Sequence, residues 1–457
     1  MNATQRVRRS ARVTWTAARI FRGYRWLSWR ERFLPKDEAQ RRLSARHRKS
    51  ARLIFETATE LQGLLIKTGQ IMGARADVLP DEYVEVLSKL HDAVPPKPYA
   101  VVRRVVEREL GVPIEAAFAQ FSHTAIASAS LAQVHRARLR DGSDVAVKVQ
   151  YPEIEEIVKV DLQNLRLLGR VANRVVRDFD FEPIIEELGA NVPLELDFIN
   201  EGHNAETTAR NFAGHSEIVI PRIDWEHTTR RVLTMEYVEG IKITDLAALE
   251  AAGIDRQAVY RLVADSYVSQ IFTHGFFHAD PHPGNLFVQP GPKLVIVDFG
   301  LTKQLPPTFL RGFVRLTTSL VTQDSAGLAQ AFRDLGFQTR HADDGVFETL
   351  GEAMITRLSR SGEFNHDRQL LIEFQQRMLR VLRENPVVRV PGEFLLIGRV
   401  MGLLSGLGAS LGADVNLLDV LGTQVQSKSH DETAAEVLRD EAGELKSPSD
   451  RATLEHP

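Results

Sequence analysis

The first quarter of the chain has apolar residues at every third or fourth position, a pattern that predicts amphipathic helices. The predicted helices cover residues 12–29, 50–77 and 99–110. Three prolines just before the last of them, at positions 95, 96 and 98, predict a linker. We therefore expect a helical segment in front of the rest of the protein.

Near residue 117 the pattern changes to an alternation of apolar and polar residues, which is typical of β-strands. Asp141-Gly142, between two such runs, is a strong hairpin signal. Strands are predicted at 131–139, 145–149, 217–221, 231–237 and 294–297, helices at 153–177 and 182–212 and through most of the chain after 243, and a loop at 278–287. A small sheet-containing lobe and a larger helical lobe, with extra helices in front, make an α+β arrangement.

The predicted domain boundaries follow these changes of pattern. The segments are a basic amphipathic N-terminal segment at 1–43, a helical extension at 44–112, the sheet-containing lobe at 113–240, the helical lobe at 241–426 and a tail at 427–457. The tail is polar and charged with little periodicity, so it is predicted to be disordered.

Composition narrows the possible functions. The hydrophobic content of 43% in 457 residues is that of a globular protein, and the absence of cysteine excludes disulfides, thiolate metal sites and cysteine nucleophiles. Residues 1–52 hold 16 lysines or arginines and three acidic residues, a charge of +13, whereas the whole chain carries −3. A basic head on an acidic body favours a polyanionic partner for the head.

Residues 12–29 combine helical spacing with interleaved arginines, and Trp15, Trp26 and Trp29 lie among them. A basic amphipathic helix of this kind can lie in a membrane interface. The alternative is a helix docked on the protein's own body with a solvated basic face. No recognisable nucleic-acid module follows, so we expect no nucleic-acid partner.

The chain has no apolar N-terminal stretch typical of a secretory signal. The strongest candidate for a membrane span is Phe394 to Leu411, which contains Arg399 and four glycines, and we interpret it as a buried helix. The predicted location is therefore cytoplasmic, with peripheral membrane contact through residues 12–29 as the alternative.

The most informative stretch is His278-Ala-Asp-Pro-His-Pro-Gly-Asn285, followed by a short apolar strand and Asp298-Phe-Gly300. Phosphoryl transfer needs a carboxylate that orients the acceptor and oxygen ligands that hold Mg²⁺ on the nucleotide phosphates. Asp280 fits the first role, and Asn285 with Asp298 fits the second. The order and spacing predict kinase-like chemistry.

Lys148, in Val145-Ala-Val-Lys148, lies on a predicted strand of the sheet-containing lobe, where a lysine can pair with nucleotide phosphates and a helix glutamate. The pattern alone leaves that glutamate open among Glu153, Glu155, Glu156, Glu186, Glu187, Glu195 and Glu201. Instead of a glycine-rich loop, the chain has small residues before this lysine, namely Ala127, Ser128, Ala129 and Ser130. Because they are stiffer than glycine, we expect an altered nucleotide pose or selectivity.

His274, His278 and His282 are spaced four apart, which suggests zinc ligation. Pro281 and Pro283 interrupt any helix there, so the three histidines need not share a face. We therefore interpret His278 as shaping the loop rather than binding metal.

Taken together, these motifs resemble the UbiB/ADCK (AarF) family of atypical protein-kinase-like proteins. Lys67-Thr-Gly-Gln70 matches the family's Lys-x-Gly-Gln pattern, and Glu195-Leu-Asp197 matches another of its motifs. With the small-residue loop, Lys148, the 278–285 loop and Asp298-Phe-Gly, six motifs occur in the family's order over about residues 45–420.

The resemblance implies a two-lobed protein-kinase-like fold with an N-terminal helical extension over the active site. It implies Lys148 as the nucleotide lysine, Glu201 as its partner and Asp280 as the catalytic aspartate, with Asn285 and Asp298 on Mg²⁺. Lys67 and Gln70 would reach into the site beside Glu195 and Asp197. The nucleotide-binding set is completed by Ala127, Ser128, Ala129, Ser130, Glu236 and Val238.

The function that the resemblance implies is that of an ATP-dependent kinase or ATPase, using ATP or ADP with Mg²⁺, in isoprenoid-quinone biosynthesis or lipid homeostasis. A nucleotide-gated pseudokinase that binds a lipid or a partner without turnover is the alternative, and a small-molecule phosphotransferase is a further one. The acceptor, the protein partners and the oligomeric state stay open. Two departures stand out, namely Ser128 in the small-residue loop and no paired C-terminal membrane helices of the UbiB type.

Overall fold

The computed structural model describes residues 1–31, 33–73, 79–91, 94–173, 182–340, 345–351, 387–413 and 420. The chain divides into two compact units. Unit 1 comprises Met1–Thr207, Ile220–Val238 and Asp298–Leu301, and unit 2 comprises Thr208–Val219, Glu239–Val297 and Thr302–Pro457. Each unit combines helices with a four-stranded sheet, so the predicted α+β class is confirmed.

The helices and the strands are numbered separately, each in chain order. The helices are α1 (Ala3–Glu31), α2 (Lys36–Leu61), α3 (Leu64–Gly73), α4 (Asp81–Leu87), α5 (Tyr99–Leu110), α6 (Ile114–Ala117), α7 (Ile154–Asn173), α8 (Glu182–Glu195), α9 (Phe198–Asn211), α10 (Leu246–Ala251), α11 (Arg256–Val268), α12 (Pro307–Val321), α13 (Ser325–Leu335) and α14 (Gly392–Leu411). The strands are β1 (Gln120–Ser128), β2 (Ala132–Arg138), β3 (Asp144–Gln150), β4 (Ile218–Val219), β5 (Val232–Glu236), β6 (Ile241–Lys242), β7 (Phe276–His278), β8 (Leu286–Gln289), β9 (Lys293–Ile296), β10 (Thr302–Gln304), β11 (Gln338–Thr339) and β12 (Val387–Arg389).

The helices at the start of unit 1 share an apolar core. Ala51 and Ala58 of α2, Ile66 of α3 and Leu87 of α4 are fully buried together. Val13 of α1 joins the same cluster. The predicted helical segment therefore exists, and α1 is longer than the predicted 12–29.

The predicted single helix over 50–77 is wrong. The helix α2 ends at Leu61, because Gln62 and Gly63 both adopt left-handed backbone conformations with φ of 55° and 72°. A Cβ on Gly63 would also come within 2.8 Å of the Ile157 side chain. A separate helix, α3, begins directly after this break and carries Lys67 and Gln70.

The sheet of unit 1 has the strand order β1-β2-β3-β5, with all neighbours antiparallel. The predicted hairpin between β2 and β3 is confirmed, since Gly142 has a φ of 94° in the turn. Valines of α5 pack with the alternate valines of β3 (Val102, Val105, Val106, Val145, Val147 and Val149). The opposite face of β3 is therefore the one that presents Lys148.

A second cluster of unit 1 joins α3 to the helices after the sheet. Leu64 of α3 packs with Ile154 of α7, with Leu188 of α8 and with Leu131 in the turn between β1 and β2. The predicted helix at 182–212 is divided into α8 and α9 at Leu196-Asp197. This division separates Glu195, at the end of one helix, from Glu201, in the first turn of the next.

Unit 2 contains a sheet with the order β4-β9-β8-β6, in which β4 and β9 are parallel and the other neighbours antiparallel. The strands β7 and β10 form an antiparallel pair, and the 278–285 loop begins at the last residue of β7. The largest buried side chains of this unit include Tyr260, Tyr267, Phe272 and Phe277.

The last described helix, α14, is long and apolar enough to cross a membrane by length and composition. A core helix of a soluble protein meets the same two criteria, so this finding does not assign a membrane span. Within the described residues 33% of its most apolar window is buried. The predicted burial therefore holds for one face, which carries Val400 and Leu404, whereas Leu395 is exposed.

Candidate functional site

Lys148 lies between two carboxylates of unit 1. Its Nζ donates hydrogen bonds to Oε1 of Glu201 at 2.6 Å and to Oδ2 of Asp298 at 3.2 Å. Glu201 is only 1% exposed, and Asp298 is half-buried. Of the glutamates that the sequence left open, Glu201 is the one that the described side chains bring to this lysine.

Two opposing effects act on the charge of Lys148. Burial disfavours the charged form, but the attraction of Asp298 and Glu201 is larger and raises the pKa of Lys148 above its ordinary value. The lysine is therefore cationic at neutral pH. A cationic lysine held by a buried carboxylate is suited to phosphate oxygens.

Asp298 is fixed by contacts on both of its oxygens. While Oδ2 accepts from Lys148, Oδ1 accepts from the backbone N–H of Gly300 at 3.0 Å. The Phe299 carbonyl accepts from the side chain of Asn204 on α9 at 3.0 Å. The Asp-Phe-Gly turn is thus held to the helix that carries Glu201.

A second lysine–glutamate pair comes from the helical extension. Lys67 Nζ lies 2.8 Å from Oε1 of Glu195, the last residue of α8. Gln70, three residues further along α3, donates to the backbone carbonyl of Leu90 at 3.2 Å. Asp197 accepts from the backbone N–H of Asn200 at the start of α9. The structure therefore joins Lys67 to Glu195, and directs Gln70 and Asp197 to backbone partners.

The two pairs approach one another at Gly300. A Cβ on this glycine would lie 3.5 Å from Oδ1 of Asp298, 3.6 Å from Oε2 of Glu201 and 3.8 Å from Cγ of Glu195. Both pairs thus border the turn that carries Asp298. Three carboxylates and two lysines are thus gathered around one turn of unit 1.

The small-residue turn between β1 and β2 is closed by the Ala129 N–H, which donates to the Ala132 carbonyl at 2.8 Å. None of Ala127, Ser128, Ala129 and Ser130 has a positive φ, so this turn does not require glycine. The Ser128 hydroxyl lies 2.8 Å from the Tyr151 hydroxyl, which gives this serine a partner within unit 1.

The remaining two nucleotide candidates lie at and after the end of β5. Glu236 Oε2 accepts from Nε of Arg222 at 3.1 Å; the arginine side chain is largely exposed, and that of Glu236 is about half-buried. Val238 is half-buried. These observations do not identify a ligand at Glu236 or Val238, so their assignment to the nucleotide site stays a prediction.

Asp280 and Asn285 belong to unit 2. Asp280 Oδ1 accepts from Nη2 of Arg399, on α14, at 3.3 Å. The loop is braced by its own backbone: the His282 N–H donates to the Asp280 carbonyl at 2.7 Å, and the Val297 N–H donates to the Asn285 carbonyl at 3.2 Å. Sequence reasoning missed Arg399 as a partner of Asp280. The available signal was the single charged residue within the apolar stretch Phe394 to Leu411.

The three histidines have separate surroundings. His278 is buried, with its N–H bonded to Oε1 of Gln270, while His282 Nδ1 accepts from the Gly284 N–H, and His274 packs edge-on against Phe212. Among the described residues no group of three or more histidine or acidic side chains has the arrangement of a metal site. A magnesium ion carried by a nucleotide needs only one or two carboxylates, because it retains water and phosphate ligands.

A search of known families matches this chain to the ABC1 atypical kinase-like domain over residues 89–332, more than half of its length. The chain therefore belongs to the ABC1 atypical kinase-like (AarF/UbiB) family, and the resemblance inferred from its motifs is confirmed. The expectation of a kinase-like fold is confirmed with it.

Relatives with kinase names support this assignment. AarF domain-containing protein kinase 1 of Mus musculus is 36% identical over 77% of this chain and 71% of its own length. ACTIVITY OF BC1 COMPLEX KINASE 8, chloroplastic, of Arabidopsis thaliana is 33% identical over 86% of this chain and 56% of its own length. This chain thus spans little more than half of the plant relative.

A solved structure resembles the fold over most of the chain. The Rv3197–erythromycin complex from Mycobacterium tuberculosis is 25% identical, with a TM-score of 0.54, and the match covers 84% of this chain and 97% of the other.

Proposed function

We propose that this protein is an ATP-dependent atypical kinase or ATPase that uses Mg²⁺ and acts on an isoprenoid-quinone precursor or a membrane lipid. The observation that carries the proposal is the Lys148–Glu201–Asp298 constellation. It supplies a cation for phosphate oxygens and a fixed carboxylate in one place, which is what phosphoryl transfer asks of a protein.

The residues of unit 1 fit a magnesium nucleotide on two counts. Asp298 is a carboxylate ligand of the type that Mg²⁺ prefers, and the Lys148 ammonium beside it is a cation suited to phosphate oxygens. In this proposal Asp298 and Asn285 hold the ion, the second assignment resting on the motif order. Bound Mg²⁺ would neutralise charge on the nucleotide phosphates.

Each protein residue then has a definable task. Glu201 keeps the Lys148 ammonium in position, and Lys148 holds the phosphate oxygens of ATP or ADP. Asp280 accepts a hydrogen bond from the acceptor's hydroxyl group and orients it. Arg399 holds the Asp280 carboxylate in place for that task.

A second candidate function is a nucleotide-gated binding protein without turnover. The observation that favours it is the ion pair between Asp280 and Arg399, because an engaged carboxylate is less available to an acceptor. The relative solved with erythromycin, a small molecule rather than a protein substrate, is compatible with either function.

The deciding experiment is a thermal-shift titration with ATP and ADP, with and without Mg²⁺, followed by ATP-hydrolysis assays. Ligand that binds only the folded protein raises the melting temperature. We expect a Mg²⁺-dependent shift and turnover in the wild type, and loss of both in Asp298→Asn. Asp81→Asn, at an exposed aspartate of α4, is the matched control and should behave as the wild type.

The outcomes separate the two candidates. Turnover that survives Asp298→Asn unchanged would refute the proposed chemistry. A Mg²⁺-dependent thermal shift without hydrolysis, in the presence of vesicles and phenolic quinone-precursor mimics, would instead support nucleotide-gated binding.

A further inference from the structure

The N-terminal helix α1 has an inner face that is packed on the rest of unit 1. Arg9, Val13, Thr16 and Leu27 are all buried, and they recur at helical spacing. The Thr16 hydroxyl lies 2.9 Å from that of Thr57 on α2. The sequence left open that this helix docks on the protein's own body, and its inner face does so.

Arg9 fastens this inner face most strongly. Its Nε and Nη2 donate to the two oxygens of Asp161 on α7, each at 2.6 Å, and Asp161 is fully buried. The same guanidinium donates to the carbonyls of Leu61 and Gln62 at 2.6 and 2.7 Å. A buried, bidentate pair with all of these donors in use holds α1 in one orientation.

The opposite side of α1 has a different composition. At 100° per residue, one side of this helix collects arginines and tryptophans only, apart from small residues. We call it the arginine–tryptophan face, and it consists of Arg8, Arg12, Trp15, Arg19, Arg22, Trp26, Trp29 and Arg30. No acidic residue occurs among residues 1–30.

The tryptophans of this face are unusually exposed. Trp15, Trp26 and Trp29 are 50%, 56% and 62% exposed, and they are three of the four tryptophans in the chain. Guanidinium groups lie over two of the rings, with Arg19 at 4.6 Å from Trp15 and Arg30 at 4.6 Å from Trp26. An aromatic surface of this kind on a docked helix indicates an interaction site.

We propose that the arginine–tryptophan face binds the surface of an anionic lipid bilayer, with α1 lying in the plane of the interface and its inner face still docked. Indole rings partition to the level of the lipid headgroups, and guanidinium groups bind lipid phosphates. From Trp15 to Trp29 the stripe runs along about 21 Å of straight helix, which suits a flat partner.

This inference does not rest on the proposed catalytic function. It uses residues of α1 that lie outside the candidate site, and it predicts binding in the absence of nucleotide. A failure of the membrane experiment would therefore leave the nucleotide proposal standing, and the reverse also holds.

Intrinsic fluorescence tests the proposal directly. In a full-length Trp225→Phe variant, every remaining tryptophan lies on the arginine–tryptophan face. We expect a blue shift on adding vesicles of phosphatidylcholine mixed with phosphatidylglycerol, and quenching when the lipids carry bromine on their acyl chains. Emission unchanged by these vesicles would overturn the proposal.

Vesicle co-sedimentation of variants tests the charge. Arg8 and Arg22 are exposed. Each arginine near an anionic surface raises the partition coefficient about fivefold. The double variant Arg8→Gln/Arg22→Gln should therefore lower partitioning onto the vesicles roughly 25-fold. Arg104→Gln/Arg108→Gln, on exposed positions of α5, removes the same charge elsewhere and should change partitioning far less. If both double variants lost the same amount of vesicle binding, the effect would depend on net charge alone, and the proposal of a specific binding face would be wrong.

The aromatic contribution has its own comparison. Trp15→Ala/Trp26→Ala/Trp29→Ala should abolish binding to the anionic vesicles, whereas Leu167→Ala, at an exposed apolar position of α7, should leave it intact. Vesicles of phosphatidylcholine alone should bind weakly throughout. If the wild type bound duplex RNA or DNA in preference to these vesicles, and the arginine variant lost that binding, the partner would be a nucleic acid and the proposal would be wrong.

Discussion

Unit 1 contains two lysine–glutamate pairs of almost equal length that differ in their surroundings. Lys148 lies 2.6 Å from Glu201, and Lys67 lies 2.8 Å from Glu195. The two lysines are about equally exposed, at 15% and 16%, but the glutamates differ: Glu201 is 1% exposed and shares its lysine with Asp298, whereas Glu195 is 15% exposed. The first pair belongs to the sheet and α9, and the second joins the helical extension to α8.

The difference shows that contact distance alone does not define the role of an ion pair. Breaking a buried pair leaves an uncompensated charge in a medium of low polarity, whereas water can replace a partner lost at a more exposed pair. The Lys148 pair therefore supports the fold, and in the proposed function it also binds phosphate. The Lys67 pair is expected to separate at a lower cost than the Lys148 pair.

The largest effect is expected at the buried pair. Lys148→Met should destabilise the protein by about 3–5 kcal/mol, because the Glu201 and Asp298 carboxylates lose their shared cation. It should also remove the Mg²⁺-nucleotide thermal shift. Chemical denaturation and nucleotide titration measure the two effects separately.

A double variant distinguishes stability from binding. Lys148→Met/Glu201→Gln removes the uncompensated buried charge at Glu201, so it should recover part of the lost stability without recovering nucleotide binding. Recovery of binding would show that Lys148 has only a structural role.

At the Lys67–Glu195 pair the effect on stability should be smaller than at Lys148. Lys67→Met should lower the free energy of unfolding by less than Lys148→Met does, because one carboxylate rather than two loses its cation and Glu195 is less deeply buried than Glu201. It should lower kcat/KM for ATP about tenfold, or about 1.4 kcal/mol of transition-state stabilisation. Lys89→Met, at an exposed lysine in the turn after α4, controls for general loss of positive charge. Kinetics identical in the two variants would contradict a role for Lys67 at the site.

Unit 2 offers a third ion pair, Asp280–Arg399, for the same comparison. If Arg399 positions Asp280, Arg399→Gln should lower kcat about tenfold with little change in KM for ATP, and Arg399→Lys should recover part of the rate. Arg311→Gln, on an exposed position of α12, should leave both constants unchanged. A rise in kcat on removing Arg399 would instead identify an inhibitory pair.

The smallest effect is expected at Asp144, the first residue of β3. Hydrogen bonds from Arg138 and Arg136 lower the pKa of Asp144 to about 2 from its ordinary 3.8. A carboxyl group whose pKa is lowered by folding stabilises the protein above the unfolded pKa, and that stabilisation is lost as pH falls through the folded value. The stability difference between wild type and Asp144→Asn should thus be present at pH 5 and shrink as pH falls from about 4 to about 2. Urea denaturation across this range measures it, and a pH-independent difference would contradict it.

Much of this molecule was predictable where local pattern decides structure. Alternating valines predicted β3, the strand that carries Lys148, and Asp141-Gly142 predicted the hairpin. The break at Gln62-Gly63 was not predictable, because apolar spacing continues through it and only a left-handed backbone ends the helix. Spacing also could not choose Glu201 or find Arg399, since both partners depend on contacts between residues far apart in sequence.

The Arg9 contact has a mechanical consequence. The two carbonyls that its guanidinium holds, those of Leu61 and Gln62, are separated from α3 by Gly63 alone, and Lys67 lies on the first turn and a half of that helix. A single residue therefore connects the Arg9 contact to the helix that carries the lysine of the extension. A rotation of α1 about its long axis would therefore either break the four hydrogen bonds of the Arg9 guanidinium or move α3, and Lys67 with it.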